Sequence, residues 1–297
     1  MTDKSKFGLL GITYDTSAGK GWPGARYAPA SIRKAMGWIE SRFENNKLFD
    51  VVNNKIVDFS KIDFKDFGDT DNISRYDHEK TIGEIKEQID EIFKKGYTPI
   101  LLGGDHSVTW PGILSLYDNT KGRIGIIDLD AHLDIKYDSK VQGKYSGSSQ
   151  IRRSIELDRI SGANVVEIGP RGYNYPEHYD FIRDSNMTII PPEVVFEEGA
   201  KEVARRALEI ASKDTDHIYL TVDIDVLDTA FALGTGGQEP AGLTSYQLAT
   251  IVKELAPHVD VIDIVEVNPM TDHKELTSNV AANLIYDFIA SVYNFNN

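Results

Sequence analysis

The 297-residue chain contains no cysteine, which excludes disulfide bonds, thiolate metal ligands and a cysteine nucleophile. No apolar run approaches the roughly 18 residues that a membrane-spanning helix needs. The amino terminus, MTDKSKFGLLGITYD, lacks the apolar core of a signal peptide. We therefore expect a cytoplasmic protein with no membrane partner. Any transition metal that it binds must use histidine and carboxylate ligands.

Positive charge is also scarce. The chain has 32 Lys and Arg residues against 46 Asp and Glu residues, a net charge of -14 and a pI near 4.9. This balance argues against nucleic acid and anionic membranes as partners, because both would be repelled. A small cationic substrate would suit an acidic protein, but the acidity is equally well explained by solubility.

Short runs rich in Ile and Val alternate with amphipathic segments along the chain. Helices are predicted over 78–95, 201–212 and 278–293, and another begins at Thr244, where Thr-Ser-Tyr-Gln has the form of a capping box. This alternation predicts one α/β domain over residues 1–297, with a doubly wound, mainly parallel sheet and helices on both faces. The runs that predict strands are FGLLGI, TPILLGG, RIGIIDLD, NVVEIG, HIYLTVDID and VDVIDIVEV.

Polar side chains cluster where four of these predicted strands end. The clusters are GGDHS, DAHLD, DIDVLD and EVNP. Ligands of open parallel sheets bind beyond the carboxyl ends of the strands, so we expect the four clusters to share one edge. The alternate spacing of Asp128, Asp130, His132 and Asp134 further predicts that a strand presents all four on one face.

Six of these side chains form a candidate metal site. Their two imidazoles and four carboxylates have a charge of -4, which two divalent cations neutralise, whereas one cation would leave -2. Oxygen-rich ligands with some imidazole fit Mn²⁺ better than structural Zn²⁺, although Zn²⁺, Co²⁺ and Ni²⁺ are not excluded. Two cations about 3.5 Å apart are the arrangement of a two-metal hydrolase. The six residues are His106, Asp130, His132, Asp134, Asp223 and Asp225.

Each residue also has a structural interpretation. His106 alone could be a loop histidine with satisfied hydrogen bonds, and Asp223 and Asp225 could end a strand or cap a helix. We expect Asp128 to have a structural role, such as a hydrogen bond to a neighbouring loop, and Asp105 to form a turn or to contact a ligand residue. Four clusters at one edge favour the metal site over these separate explanations.

The same clusters, in this order, with PGARYAPASIRKA and DFGD before them, resemble the ureohydrolase family of arginase, agmatinase and formiminoglutamase over roughly residues 7–290. The resemblance implies a three-layer arginase-like α/β fold, two Mn²⁺ ions per chain and a homo-oligomer, a trimer or hexamer. One ion would be held by His106, Asp130, Asp134 and Asp223. The other would be held by Asp130, His132, Asp223 and Asp225.

The resemblance also implies a reaction. A C–N bond of a guanidino compound would be hydrolysed to urea and an amine, with Glu266 gripping the guanidinium and Asp134 passing a proton to the departing amine. Agmatine is the first candidate substrate, as in the agmatinases of polyamine metabolism. Formiminoglutamase, guanidinobutyrase or arginase activity is the alternative, and a metal-binding homologue without activity is a further one.

One histidine of the family is missing. Agmatinase-like members often have Tyr-Ser-His after DAHLD, whereas this chain has YSGSSQIRR. Aligning on the Arg pair puts Gly147 in place of that histidine, and aligning on Ser-Gly puts Ser146 there as a candidate substrate contact. Lys136, with Arg152 and Arg153 nearby in sequence, could instead meet an anionic substrate tail or could be a solvated loop charge.

Overall fold

A computed structural model describes residues 5–17, 22–71, 73–74, 76–138 and 141–296 of the chain. Within these residues, eight strands form one sheet and two more form a separate pair. The strands are β1 Lys6–Gly11, β2 Lys47–Asp50, β3 Lys55–Asp58, β4 Asp63–Asp69, β5 Thr98–Leu102, β6 Ile124–Leu129, β7 Ile160–Ile168, β8 Thr188–Ile190, β9 His217–Asp223 and β10 Val261–Val265.

The large sheet is parallel throughout, with the order β4-β1-β5-β10-β9-β6-β7-β8. β2 and β3 pair in the antiparallel sense outside it. All six strands predicted from the sequence are in the large sheet, and the predicted parallel α/β architecture is confirmed. The four central neighbours β5, β10, β9 and β6 are the strands that the polar clusters follow, so the clusters meet at one edge.

Helices connect these strands and include each of the four predicted from the sequence. The capping box of the predicted helix at Thr244 is present, because Thr244 Oγ1 accepts a hydrogen bond from Gln247 N, and Gln247 Oε1 accepts one from Thr244 N. The helices are α1 Ala28–Glu40, α2 His78–Lys94, α3 Thr109–Asn119, α4 Gln150–Ile155, α5 Pro176–Ser185, α6 Pro192–Glu198, α7 Ala200–Ala211, α8 Ser245–Leu255 and α9 Leu276–Asn296.

Helices cover both faces of the sheet, which gives three layers. On one face, residues of α1, α7, α8 and α9 pack in one apolar cluster with Ile100 and Leu102 of β5. On the other face, α2 and α3 pack with the intervening residue Leu101. This alternation along β5 is what a strand buried on both sides requires. Among the described helices, none is long and apolar enough to cross a membrane.

One prediction about strand β6 is wrong. β6 ends at Leu129, so Asp130, His132 and Asp134 lie in the loop beyond it and not on one face of a strand with Asp128. The chain turns here because Asp130 Oδ1 accepts a hydrogen bond from His132 N at 2.7 Å, and Asp134 has a left-handed backbone with φ of 45°. The loop, and not the strand alternation, brings the side chains together.

Candidate metal centre

The side chains of the candidate site come from loops at the ends of the four central strands. His106 begins a 3₁₀ turn after β5. Asp223 is the last residue of β9, and Asp225 lies in the 3₁₀ turn that follows. Glu266 directly follows β10. Apart from Asp223, these residues lie on loops that a rigid sheet positions, which is where binding and catalytic groups concentrate.

Three carboxylates converge on one nitrogen of His106. The distances from His106 Nδ1 are 3.0 Å to Asp134 Oδ2, 3.2 Å to Asp130 Oδ2 and 3.2 Å to Asp223 Oδ2. A ring nitrogen has at most one proton to donate, so it cannot satisfy three acceptors. Within the described residues, His106 Nδ1 and Asp130 Oδ2 are buried without a hydrogen-bond partner. A cation between these atoms would satisfy all of them.

A second group forms around His132. Its Nδ1 atom lies 3.1 Å from Asp225 Oδ2 and 3.3 Å from Asp130 Oδ1. Asp130 therefore presents one oxygen to each histidine. The potential ligand atoms of His106, Asp130 and Asp223 lie within 4.8 Å of one another, and so do those of Asp130, His132 and Asp225. The residues present fit two divalent cations that share Asp130.

The electrostatics of the site also favour cations. Burial by itself would lower the pKa of His106, but its interactions with Asp130, Asp134 and Asp223 raise that pKa well above its ordinary value. The charge of Asp225 raises the pKa of His132 in the same direction. Burial raises the pKa of Asp223 well above its usual range, and the charge of Asp225 raises it further. Protons are held strongly at the positions where metal ions would replace them.

Neighbouring groups hold these side chains in place. Gln150 Nε2 donates a hydrogen bond to Asp134 Oδ2 at 2.7 Å, and Thr221 Oγ1 lies 3.0 Å from His106 Nε2. The guanidinium of Arg171 donates to the backbone oxygens of Asp225 at 2.9 Å and of Glu239 and Leu227 at 2.6 and 3.2 Å. Hydrogen bonds of this kind orient metal ligands, so residues outside the six candidate ligands also fix the geometry of the site.

Glu266 faces the same space in a constrained backbone conformation. Its φ of 60° is left-handed, which is unusual for a residue other than glycine, and its Oε1 accepts a hydrogen bond from His106 N at 2.8 Å. Burial, with the charge of Asp105 as a further cause, raises the pKa of Glu266 to about 8. A buried carboxyl group of this kind suits a cationic group placed beside it.

A cavity of about 370 Å³ opens above these residues. That volume is in the range of about 300–1,000 Å³ for small-molecule sites. Five of the six candidate ligands and Glu266 line the cavity, whereas Asp130 does not. The lining residues of this group are His106, His132, Asp134, Asp223, Asp225 and Glu266.

Comparison with known proteins identifies the family. A sequence model of the arginase family matches residues 5–290. The chain belongs to the arginase family. It is 33% identical over 270 residues to an agmatinase of Bacillus subtilis, across 90% of this chain and 85% of the relative. It is 31% identical over 234 residues to a guanidinobutyrase of Pseudomonas aeruginosa, across 78% of this chain and 72% of the relative.

Solved structures agree with this family assignment. A formimidoylglutamase of Bacillus subtilis has a TM-score of 0.85 and 26% sequence identity, and the match covers 97% of this chain and 87% of that one. The predicted arginase-like fold is therefore confirmed. As a member of this family, the protein is a hydrolase that acts on linear amidines, and its relatives differ in the substrate that their names give.

Only some of the predicted substrate contacts of this arginase-family chain line the cavity. Lys136 and Gly147 line the cavity. Ser146 is buried outside the lining, with its Oγ 3.3 Å from Ser149 Oγ. Arg152 stacks on Phe181 with its guanidinium carbon 4.0 Å from the ring centre, and the buried Arg153 pairs with the carboxylate of the exposed Glu156 at 2.7 Å. Of the three basic residues, only Lys136 faces the candidate site.

Sequence reasoning missed several residues of the cavity wall. Tyr173, Asn174, Tyr175 and His178 line the cavity and come from the start of α5 and the loop before it. Asn174, Tyr175 and His178 belong to no motif, and α5 itself was not predicted. In the sequence, the only signal at this position is Pro176, which begins the helix.

One structural role expected for Asp128, a hydrogen bond to a neighbouring loop, is not observed among the described residues. Its side chain is fully buried, but among the described residues it has no hydrogen-bond partner, so the expected bond to a neighbouring loop is absent. Asp105 does form a turn: its Oδ1 accepts a hydrogen bond from Ser107 N at 3.0 Å, and its Oδ2 accepts one from Ser17 N at 2.7 Å.

Proposed function

We propose that the protein is a binuclear manganese hydrolase that cleaves a C–N bond of a guanidino compound and releases urea and an amine. The observation that supports it most is the position of Asp130, whose two carboxylate oxygens lie 3.2 and 3.3 Å from the ring nitrogens of His106 and His132. Two Mn²⁺ ions would be held by His106, Asp130, His132, Asp134, Asp223 and Asp225.

Each residue at the cavity has a distinct role in this proposal. When bound, the two ions supply Lewis acidity at the guanidino carbon. The carboxylate of Glu266 accepts hydrogen bonds from the guanidinium and fixes its orientation, which brings the reacting carbon to the same place in each turnover. Asp134, held by Gln150 at 2.7 Å, passes a proton to the departing nitrogen. The reaction consumes one water molecule: its oxygen forms the new bond to the guanidino carbon, the bond from that carbon to the departing nitrogen breaks, and Asp134 passes the proton of the water to the amine.

Agmatine, which would give putrescine, is the first candidate substrate. An agmatinase is among the relatives, and an acidic protein favours a cationic substrate. The relatives also include a guanidinobutyrase and a formimidoylglutamase, so guanidino and formimino acids form the second group of candidates. We further propose a cytoplasmic homo-oligomer, a trimer or hexamer.

The test is product release by the Mn²⁺-loaded protein. Urea is measured with agmatine, arginine and 4-guanidinobutyrate, and formamide is measured with formiminoglutamate. Release that needs Mn²⁺ and disappears with a chelator supports the proposal. If the metal raises the melting temperature but no substrate is hydrolysed, the protein is a metal-binding homologue without this activity. If neither Mn²⁺ nor Co²⁺ nor Zn²⁺ changes the melting temperature, the binuclear site itself is contradicted.

A further inference from the structure

The cavity wall beside the candidate metal ligands contains a lysine that forms no ion pair with any described residue. Among the described residues, Lys136 is the one Lys or Arg that lines the cavity, and its ammonium group faces an aromatic ring and pairs with no described carboxylate. Its Nζ atom lies 4.5 Å from the centre of the Tyr175 ring. A substrate ammonium group at this wall would be repelled by Lys136, whereas an anionic group would be attracted.

The same wall contains a buried imidazole with free hydrogen-bonding capacity. His178 is 5% exposed, and within the described structure neither of its ring nitrogens has a hydrogen-bond partner. Its ring packs against the edge of Tyr175 at a centroid distance of 5.3 Å, so Tyr175 contacts both His178 and Lys136. A buried imidazole without a partner loses free energy unless a ligand completes its hydrogen bonds.

The amino terminus of helix α5 meets this wall as well. Asn174 and the N-cap residue Tyr175 line the cavity, and no described side chain caps the first turn of the helix. Pro176 has no N–H group and His178 N donates to Tyr175 O at 3.0 Å, but the helix dipole is still positive at this end and favours an anion. Glu177 lies in the same turn, but it is exposed and does not line the cavity.

We propose that Lys136, His178 and the first turn of α5 form a subsite for a carboxylate on the tail of the substrate. The proposal rests on the proposed function, because it assumes that the guanidino or formimino end lies at Glu266 and the metal ligands. The substrate would then be a guanidino or formimino acid, held at both ends, and these acids would rank above agmatine, which the sequence and the relatives place first. Lys136 supplies the charge, His178 supplies a hydrogen bond, and the amino terminus of α5 supplies the positive end of its dipole.

Two ligands of similar length separate the possibilities. Agmatine ends in an ammonium group and 4-guanidinobutyrate ends in a carboxylate, while both have the same guanidino head. With Mn²⁺-loaded protein, we expect 4-guanidinobutyrate to have the higher kcat/KM and to raise the melting temperature more than agmatine at the same concentration. A higher kcat/KM and a larger thermal shift with agmatine would overturn the subsite and leave the proposed hydrolase function intact.

Matched variants identify the residues involved. Lys136→Met should raise KM for 4-guanidinobutyrate by about tenfold or more, the effect of losing one charged hydrogen bond, with little change in kcat. His178→Asn should raise the same KM and leave the KM for agmatine unchanged, which a purely structural defect would not do. Lys144→Met is the control, because Lys144 is exposed on the neighbouring loop and does not line the cavity.

The thermal measurement keeps the two proposals distinguishable if no compound is hydrolysed. A melting-temperature rise with 4-guanidinobutyrate that Lys136→Met removes and Lys144→Met retains would support the subsite and contradict the hydrolase function. The absence of any rise with the metal-loaded protein would contradict the subsite. Equal effects of Lys136→Met and Lys144→Met on KM or on the thermal shift would also overturn it.

Discussion

Asp128 on β6 and Glu167 on β7 lie directly opposite each other on neighbouring parallel strands, and both side chains are fully buried. Within the described residues, none of their four carboxylate oxygens has a hydrogen-bond partner. Burial raises the pKa of both groups well above the ordinary range, and for Glu167 the charge of Asp128 raises it further. The sheet therefore contains a buried carboxyl pair near the candidate metal site. Ionisation of either carboxyl group destabilises the folded protein.

The first prediction concerns the pH dependence of stability. The pKa of Glu167 is raised in the folded state above its ordinary value of 4.5, so between these two values the folded protein binds more protons than the unfolded protein. The stability that this difference in proton binding gives the folded protein is fully present below about pH 4.5. It is lost as the pH rises, by at most about 1.4 kcal/mol per pH unit for one proton. Glu167→Gln removes this loss.

The melting temperature of Glu167→Gln, relative to the unmodified protein, should therefore increase as the pH rises above 4.5, and it is measured from about pH 5 to about pH 8. The comparison is made after chelation, so that metal binding does not contribute. Glu177→Gln is the control, because Glu177 is exposed on α5. A difference that stays constant across this pH range would show that Glu167 ionises equally easily in both states.

Much of the fold could be predicted because its causes are local. The strands of the centre are short runs of Ile, Leu and Val, and α2 has a regular apolar stripe with Gly96 at φ 80° after its end. The clusters at the strand ends could be placed at one edge because parallel strands end at the same side of a sheet. The short edge strand β8 and the helix α5 have no comparably strong pattern.

The details of the site depended on contacts that the sequence does not display. The prediction that a strand presents Asp128 and Asp130 on one face failed, because β6 ends at Leu129 and a hydrogen bond from His132 N to Asp130 turns the chain. His178 was missed because its place in the cavity depends on how α5 packs beside β7, a contact between distant parts of the chain.

The second prediction concerns the shared ligand. Asp130→Asn removes one negative charge from the position between His106 and His132, and an amide is a poorer metal ligand than a carboxylate. We expect hydrolysis and the Mn²⁺-dependent rise in melting temperature to be lost together. Asp184→Asn, an exposed change at the end of α5, should preserve both. A variant of Asp130 that keeps both properties would contradict the shared position.

The third prediction concerns the tight approach of a loop to the site. A Cβ atom at Gly237 would lie 2.7 Å from His132 Cε1 and would also collide with Asp225 Oδ2. Gly237→Ala must therefore displace one metal ligand or the loop, and we expect Mn²⁺ affinity to fall by about 10–100-fold. Gly37→Ala is the control, because no atom lies within 4 Å of the added methyl group there. Affinity is measured by titration of Mn²⁺ into the chelated and dialysed protein.

The fourth prediction concerns the missing histidine. Gly147 lines the cavity, and a Cβ atom there would lie 3.5 Å from Ser107 N and 3.6 Å from His106 Cβ, which are ordinary contact distances. A Cβ atom at position 147 therefore meets no clash, whereas Ser146 is turned towards Ser149 outside the cavity wall. Of the two alignments of YSGSSQIRR, the structure favours the one that puts Gly147 in place of the histidine.

Gly147→His should accordingly add an acid–base group beside the departing nitrogen and raise kcat for agmatine, by up to about 100-fold if proton transfer limits the rate. Gly147→Ala is the matched control, because it fills the same space at Cβ without a titratable group. The gain should depend on pH near the pKa of an imidazole and should be absent from the alanine variant. If the histidine and alanine variants have the same kcat at all pH values, position 147 does not contribute to proton transfer in this protein. The glycine at this position then affects only the shape of the cavity.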